Sequence, residues 1–479
     1  MPNKYYITTA IPYVNAKPHI GFALELVQAD AIARQKRQDG NDVFFLTGTD
    51  DNSLKNVQAA EKAGLATKDF VDQNASLFQN LTKALNISND AFIRTASADH
   101  FRGAQKLWSA CDPDDIYKKK YKGLYCVGCE VFYTESELID GRCPEHHTVP
   151  EEVEEENYFF KLSKYQDKLE KHIADDVYHI VPDSRKKEIL SFIRMGLTDF
   201  SISRSVARAK NWGVPVPGDP SQIMYVWFDA LSNYITALGY GGDEKRWDYW
   251  PTDLHVIGKG IIRFHAVYWP VMLMSAGISL PKQLFVHGYV NVGGEKMSKS
   301  LGNVVDPFEL VEKYGVDAVR FYLLKHMHPF EDSDFTIAKF EEAYNADLAN
   351  GLGNLVARVT NMIEKSLGGN VTRVKHYGSG KLGREIGDMI EKLNFREAML
   401  GIWRLIDIDN VYIDTEKPWA LAKSDPKKIA KILGELTDDL FAITAALRPF
   451  MPDTSEKIEK HLTSKPIVKY SGLFARIQT

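Results

Sequence analysis

With 479 residues, 44% of them hydrophobic and 26% charged, the chain is a folded protein with material for roughly two to four domains. Its 59 basic and 64 acidic residues give a net charge of −5, which excludes an overall polycation but leaves room for a local basic face. Four cysteines argue against a disulfide scaffold and for a reducing cytoplasm; no signal-peptide pattern opens the sequence, and the most apolar run, "VYWPVMLMSAGISL", is too short and too broken by Pro270 and Gly277 to cross a bilayer.

Residues 4–110 alternate strand-like runs ("YYITTAI", "DVFFLTGTD") with helix-like ones ("GFALELVQADAIARQKRQ", "LFQNLTKALN"), which predicts a parallel α/β sheet with crossover helices. Gly40-Asn41-Asp42 marks the turn into the second strand. Between about 115 and 220 the rhythm breaks. The cysteines gather there, an acidic run "EEVEEEN" follows, and Pro and Gly cluster in "WGVPVPGDP", as in an inserted module. "MYVWFDA", "LHVIGKG" and "QLFVHGYVNV" then read as strands with which the α/β domain resumes. After about 340 the pattern turns helical: Leu348, Leu352, Leu355, Val356, Val359, Met362 and Ile363 share one stripe.

Three constellations carry chemistry. In "YCVGCEVFYTESELIDGRCPEHH", Cys126 and Cys129 form C-x2-C, and Cys143 with His146 forms C-x2-H. Two such knuckles supply the four ligands of a closed, structural zinc site; His147 is the rival fourth ligand, and a redox C-x-x-C is the other reading. Cys111 stands apart as an inert buried thiol. "GGEKMSKSLGN", residues 293–303, is a glycine-flanked cationic loop able to close over a polyphosphate, or a solvated surface loop. "KPHIG" opens a helix directly after a strand. There the backbone N–H groups and the helix dipole attract phosphate, Gly21 allows close approach, and His19 can donate to a phosphate oxygen.

"PHIGF" and "KMSKS", in this order and separated by a zinc-bearing insertion, resemble the two signatures of class I aminoacyl-tRNA synthetases. More narrowly, "IPYVNAKPHIG", "FFLTGTD", "YCVGCEVFYTE…CPEH", "PVPGD…YVWFDALSNYI", "HVIGKGIIRFH", "KMSKSLGN", "DLANGLGNLVAR" and "EKPWALA" resemble bacterial methionyl-tRNA synthetases over essentially the whole length. The resemblance implies a Rossmann-type catalytic domain in two parts, 1–114 and 223–290, split by a zinc-binding connective insertion, 115–222. A stem-contact region with the KMSKS loop, 291–340, and an all-α anticodon-binding domain, 341–479, would follow. It implies ATP, L-methionine and tRNA(Met), initiator tRNA included, as partners, magnesium with the nucleotide, and a monomer in the cytoplasm.

By the same resemblance Ile11, Tyr13, Asp50, Trp227, Ala230, Tyr234, Ile261 and His265 would hold methionine. Asp50 ends a strand, where open α/β sheets bind ligands, and can pair with an ammonium. The aromatic and aliphatic members suit a polarizable thioether, although Trp227 and Tyr234 also read as core. ATP would lie across His19, Gly21, Lys296 and Lys299, with the lysines stabilising the leaving pyrophosphate. Asn354 and Arg358, four apart on one helix face, and Trp419 after Pro418 would read the anticodon CAU; a solvated face and a core tryptophan are the alternative. The family usually has a second histidine at Phe22, His-Gly at Asn52-Ser53 and an acid at Gly260, departures that suggest a retuned ATP side. Two rivals stand beside the synthetase reading: an amino-acid ligase that does not use tRNA, and a catalytically silent tRNA-binding paralogue.

Overall fold

The structure is a computed structural model. It describes the chain except Met1, Cys129, Glu130, His146, residues 298–302, 377–380 and 422–423, Ser471 and Thr479; for Val131, Phe132, Ser136 and Lys296 it describes the backbone alone. Two compact units result. The first comprises residues 1–18, 40–82 and 89–286, and the second 19–39, 83–88 and 287–479.

The first unit is built on strands β1 (Lys4–Thr9), β2 (Asp42–Thr49), β3 (Ala91–Arg94), β4 (His179–Val181), β5 (Leu254–Gly258) and β6 (Gln283–His287), in the order β3-β2-β1-β5-β6-β4. The pairs β2/β3, β1/β2, β1/β5 and β4/β6 are parallel, with Ile7 set between Phe45 and Leu254. β1 and β2 are buried almost end to end, which is why they read as apolar runs rather than as alternating patterns. Tyr6, Phe44, Leu46, Trp108, Phe228 and Ile257 belong to the core packed on this sheet. Residues 10–13, Asp50 and 259–261 all follow the carboxyl ends of three adjacent strands, β1, β2 and β5, where ligands bind in open parallel sheets.

Two readings of the sequence need correction. β4 lies inside the stretch 115–222 and yet adds a parallel strand to the main sheet beside β6. "MYVWFDA" is not a strand of that sheet: Asp219–Met224 pairs antiparallel with Ser203–Ser205 and Pro215–Val216, and Val226–Leu231 is helical. A short apolar run fits a buried strand and a buried helical turn equally well, so periodicity could not separate them.

A four-stranded antiparallel sheet contains Ile116–Cys126, Val131–Tyr133, Glu151–Phe160 and Phe200–Ser201. Its long pairing sets Lys120 opposite Glu156 and Lys122 opposite Glu154, and Lys122 is ion-paired with Glu152. The acidic run is thus one strand of a charge-complementary pair.

In the second unit, helix α1 (Ile20–Gln38) accompanies a small sheet of Val290–Val292, Glu295–Lys296 and Ser333–Phe335. A helical region follows, including α2 (Asn354–Leu367), α3 (Phe395–Glu416) and α4 (Pro426–Leu447). The stripe from Leu348 to Ile363 is buried as its spacing predicts, although Tyr344–Gly353 winds as a π-helix before α2 begins. Fully buried Arg320 ties α1 to this region: it meets Asp30 at 2.7 Å and donates to the carbonyls of Leu85, Pro449 and Phe450 at 2.8–3.1 Å. Burial alone would push the Asp30 carboxyl up, but Arg320, Arg34 and Ser88 together hold it below its usual range. Among the described residues no helix is long and apolar enough to cross a membrane.

Candidate active site and anticodon face

In the first unit, Tyr13 bridges to Asp50 across the ends of β1 and β2, and the Asp50 N–H donates to the Pro12 carbonyl at 2.9 Å. The buried Asp50 carboxylate accepts from the Asn52 N–H at 3.1 Å and the Thr95 hydroxyl at 3.3 Å, which fixes its direction. The Tyr13 ring stands edge-on to Trp227 at 6.5 Å, and Trp227 meets His265 edge-on at 6.4 Å. Trp227 Nε1 is buried with no hydrogen-bond partner, a donor left over for a ligand. Ala230 lies one turn beyond Trp227 on the same helix, and Ile11 is half-buried just before Tyr13.

His265 sits in the π-helical turn Phe264–Tyr268, an irregularity frequent at functional sites. Its Nδ1 faces the Ile261 carbonyl at 3.0 Å and its Nε2 faces the Tyr234 hydroxyl at 2.7 Å. Burial lowers its pKa to about 4, so near pH 7 the ring is neutral. A neutral imidazole has one N–H. The carbonyl can only accept, so Nδ1 carries the proton and Nε2 accepts from Tyr234. Tyr234 in turn receives the Trp269 and His255 rings around it, and the Tyr6 hydroxyl donates to its carbonyl at 2.8 Å. Tyr13, Asp50, Trp227, Tyr234, Ile261 and His265 are therefore linked by a chain of direct contacts.

The helix start and the cationic loop meet within the second unit. His19 is the N-cap of α1, and its Nδ1 accepts from the Gly21 N–H at 3.1 Å. The proton of the neutral ring then belongs on Nε2, on the side away from the helix, where it can be donated. A Cβ on Gly21 would lie 3.0 Å from the His19 ring and 3.4 Å from Met297 Cε. This crowding favours glycine, since a side chain here would have to push the His19 ring aside, and Met297 of the KMSKS segment lies beside it. One point corrects the sequence reading. The Ile20 N–H donates to the Val305 carbonyl at 3.2 Å and the Gly21 N–H to His19, so these donors of the helix start are already engaged. Lys299 lies outside the described residues, and Lys296 is described only as backbone paired with Asn291.

Of the four expected zinc ligands, Cys129 and His146 lie outside the described residues. Cys126 and Cys143 are buried, undisulfided thiols, and both converge on Thr148. Its hydroxyl lies 3.8 Å from Cys126 Sγ, and its carbonyl accepts from the Cys143 N–H at 2.9 Å. The Cys143 Sγ itself lies 3.6 Å from the Tyr133 hydroxyl, and two buried free thiols on segments that meet at Thr148 fit a zinc knuckle. Cys111 is a different case: burial pushes its thiol up to about 12, so it is inert.

On the helical face, Asn354 is exposed, beside a hollow of ≈ 390 Å³ lined also by Asn350, Ala357, Lys469 and Phe474. One turn along α2, Arg358 bonds Asn410 at 3.4 Å and is ion-paired with Asp414, both on α3. Trp419 is 54% exposed, which removes the core-tryptophan reading.

The family of class I (M) tRNA synthetases matches residues 5–152 and 146–360, and the anticodon binding domain of methionyl tRNA ligase matches residues 380–471. The methionine–tRNA ligase of Clostridium acetobutylicum is 46% identical over 477 residues, 96% of this chain and 73% of the relative. The chain belongs to the class I methionyl-tRNA synthetases. The methionine–tRNA ligase of Brucella suis is 45% identical over 472 residues, 95% of this chain and 91% of the relative. The crystal structure of the Mycobacterium tuberculosis methionyl-tRNA synthetase bound by methionyl-adenylate superposes with a TM-score of 0.92 at 40% identity, covering 99% of this chain and 100% of that one.

Within this synthetase the departures from the family pattern are absorbed by the fold. The Asn52 amide donates to Asp229 Oδ2 at 2.8 Å and to the Thr95 carbonyl at 3.0 Å, and Ser53 caps the helix Leu54–Ala63 by accepting from the Asn56 N–H. Phe22 is buried core, and Gly260 lies exposed in the turn Lys259–Ile261. Asn52 and Ser53 thus hold the strand-end loop of the first unit in place. Sequence reasoning missed three supports. Asp229 joins Asn52 to His100, whose Nε2 lies 2.6 Å from its Oδ1. Phe264 stacks on Trp227 at 3.5 Å and 4°, fixing the indole. The only sequence signal of Asp229 and Phe264 was position, beside residues already singled out in "WFDA" and "RFHA", and His100 had none.

Proposed function

We propose that the chain activates L-methionine with ATP, releasing pyrophosphate, and transfers the methionyl group to the 3′ end of tRNA(Met), initiator tRNA included. The likeness along the full chain to the tuberculosis enzyme that binds methionyl-adenylate carries this reading. Asp50 pairs with the substrate ammonium, and Tyr13, Trp227, Ala230, Tyr234, Ile261 and His265, with Ile11, enclose the thioether side chain. The neutral His265 suits that role, since an imidazolium beside a thioether would be a buried charge without a partner.

A methionine carboxylate oxygen attacks the α-phosphorus, a P–O bond forms, and the bond to pyrophosphate breaks. His19 donates from Nε2 to a phosphate oxygen, while Lys296 and Lys299 offset the charge growing on the leaving group. Magnesium enters with the nucleotide, held mainly by its phosphates, and supplies further charge neutralisation. A hydroxyl of the terminal ribose then takes the acyl group from the adenylate. The protein contributes orientation and electrostatics and forms no covalent intermediate of its own.

Cys126, Cys129, Cys143 and His146 hold one structural zinc. Asn354, Arg358 and Trp419 read the anticodon, the tryptophan by stacking; its exposure speaks against a ligase that ignores tRNA. Methionine-dependent ATP–pyrophosphate exchange, run with and without tRNA, tests the reading. Exchange driven by methionine supports it. No exchange, with tRNA still bound, would show the silent paralogue instead.

A further inference from the structure

In the second unit, far along the sequence from the nucleotide-site signatures, one ligand atom each of His376, Asp409 and Asp439 lies within 4.8 Å of the others. Asp409 lies on α3 and Asp439 on α4, and both are fully buried at 0% exposure. His376 Nδ1 contacts Asp439 Oδ2, and the imidazole stacks on Tyr412, one turn beyond Asp409, at 5.5 Å and 21°. Independently of that grouping, both carboxylate oxygens of Asp409 are buried with no hydrogen-bond donor.

The cations and donors nearby are committed elsewhere. Arg373 donates to Asp438 at 2.8 and 3.2 Å, and the His376 N–H also goes to Asp438. The Tyr412 hydroxyl donates to Glu435 at 2.8 Å. Two carboxyl groups thus face one another inside the protein, with an imidazole beside them, and among the described residues no N–H or hydroxyl donates to either oxygen of Asp409.

We propose that His376, Asp409 and Asp439 bind a divalent cation of the zinc or manganese class, at a site separate from the cysteine knuckle. One imidazole nitrogen and two carboxylate oxygens are a borderline-to-hard donor set that suits these ions, with water completing the shell. Ligand atoms about 2.0–2.2 Å from a four-coordinate ion are about 3.3–3.6 Å apart, so on binding the three side chains draw in from a spacing of up to 4.8 Å while the direct His376–Asp439 contact opens. The ion staples α3 to α4 and to the segment that carries His376. α3 also carries Asn410 and Asp414, the partners of Arg358.

The test uses the full-length protein, stripped with a chelator and dialysed against zinc or manganese, with bound metal measured by elemental analysis. Wild type should hold one equivalent more than Asp409→Asn, and added zinc should raise the melting temperature of wild type further than that of the variant, in which only the knuckle can refill. Equal metal content and equal zinc-dependent shifts in the two proteins would overturn the site and leave a proton shared between Asp409 and Asp439. Should Asp409→Asn fail to fold, cobalt titration of wild type decides alone. A cobalt component without thiolate charge-transfer absorption, in addition to that of the knuckle, supports the site. Thiolate-ligated cobalt only would overturn it.

Discussion

His265 shows how a single group's surroundings set its chemistry. Its ring is buried against Tyr234 and the Ile261 carbonyl, and its pKa falls to about 4 from 6.5. The unfolded chain therefore takes up this proton first as the pH drops. The stability contributed by the neutral ring is complete above about pH 6.5 and is lost as the pH falls toward 4. Melting temperature followed from pH 7.5 to 4.5 should decline less steeply in His265→Gln than in wild type; parallel curves would assign the acid loss to other groups. His19 is the opposite case, an exposed ring whose Nε2 proton is free to act because Nδ1 is occupied by the Gly21 N–H. With the nearby helix-start N–H groups engaged, His19→Ala should nearly abolish activation. Phe22→His should give no gain, since position 22 is packed in the core; a several-fold faster activation step would show Phe22 to be an uncompensated defect. Lys299→Ala should slow adenylate formation by about two orders of magnitude, the size of losing one transition-state donor, with methionine affinity little changed. Loss of methionine affinity at an unaltered activation rate would contradict that role.

At the scale of elements, what was legible depended on length and period. The long amphipathic stripe from Leu348 to Ile363 and the buried strands β1 and β2 could be read because many residues repeated one signal. "MYVWFDA" could not, since a run of seven residues, all but Asp229 apolar or aromatic, fits either a strand or a helical turn. The short strand β4 was equally hidden: only its register beside β6 reveals it, and register depends on residues about a hundred positions away. The site divides in the same way. Asp50, Trp227 and His265 were legible through motifs. Asn52, Asp229 and His100 were not, because a hydrogen-bonded chain across three elements has no linear pattern. The short helix Pro418–Leu421 exposes Trp419. Trp419→Ala should cost about 1–3 kcal/mol of tRNA discrimination, the worth of one stacked base, while exchange without tRNA stays near wild type. Equal loss in both assays would mean the tryptophan supports the fold instead.

For the molecule as a whole, the residues expected to hold methionine belong to the first unit and those expected to hold the nucleotide and the anticodon to the second. Both units are built from segments that alternate along the chain. The insertion contributes indirectly. Cys126→Ser should release the zinc and loosen the strands around Thr148, weakening aminoacylation without touching a reacting group; protein purified without stoichiometric zinc at the knuckle would contradict this. Charging of tRNA(Met) transcripts with labelled methionine, comparing the CAU anticodon with an altered one, tests the central claim most directly. The account predicts methionine esterified at the 3′ end of the CAU transcript and a large loss of charging when the anticodon changes. Methionyl-adenylate formed without transfer to either transcript, or equal charging of both, would contradict it.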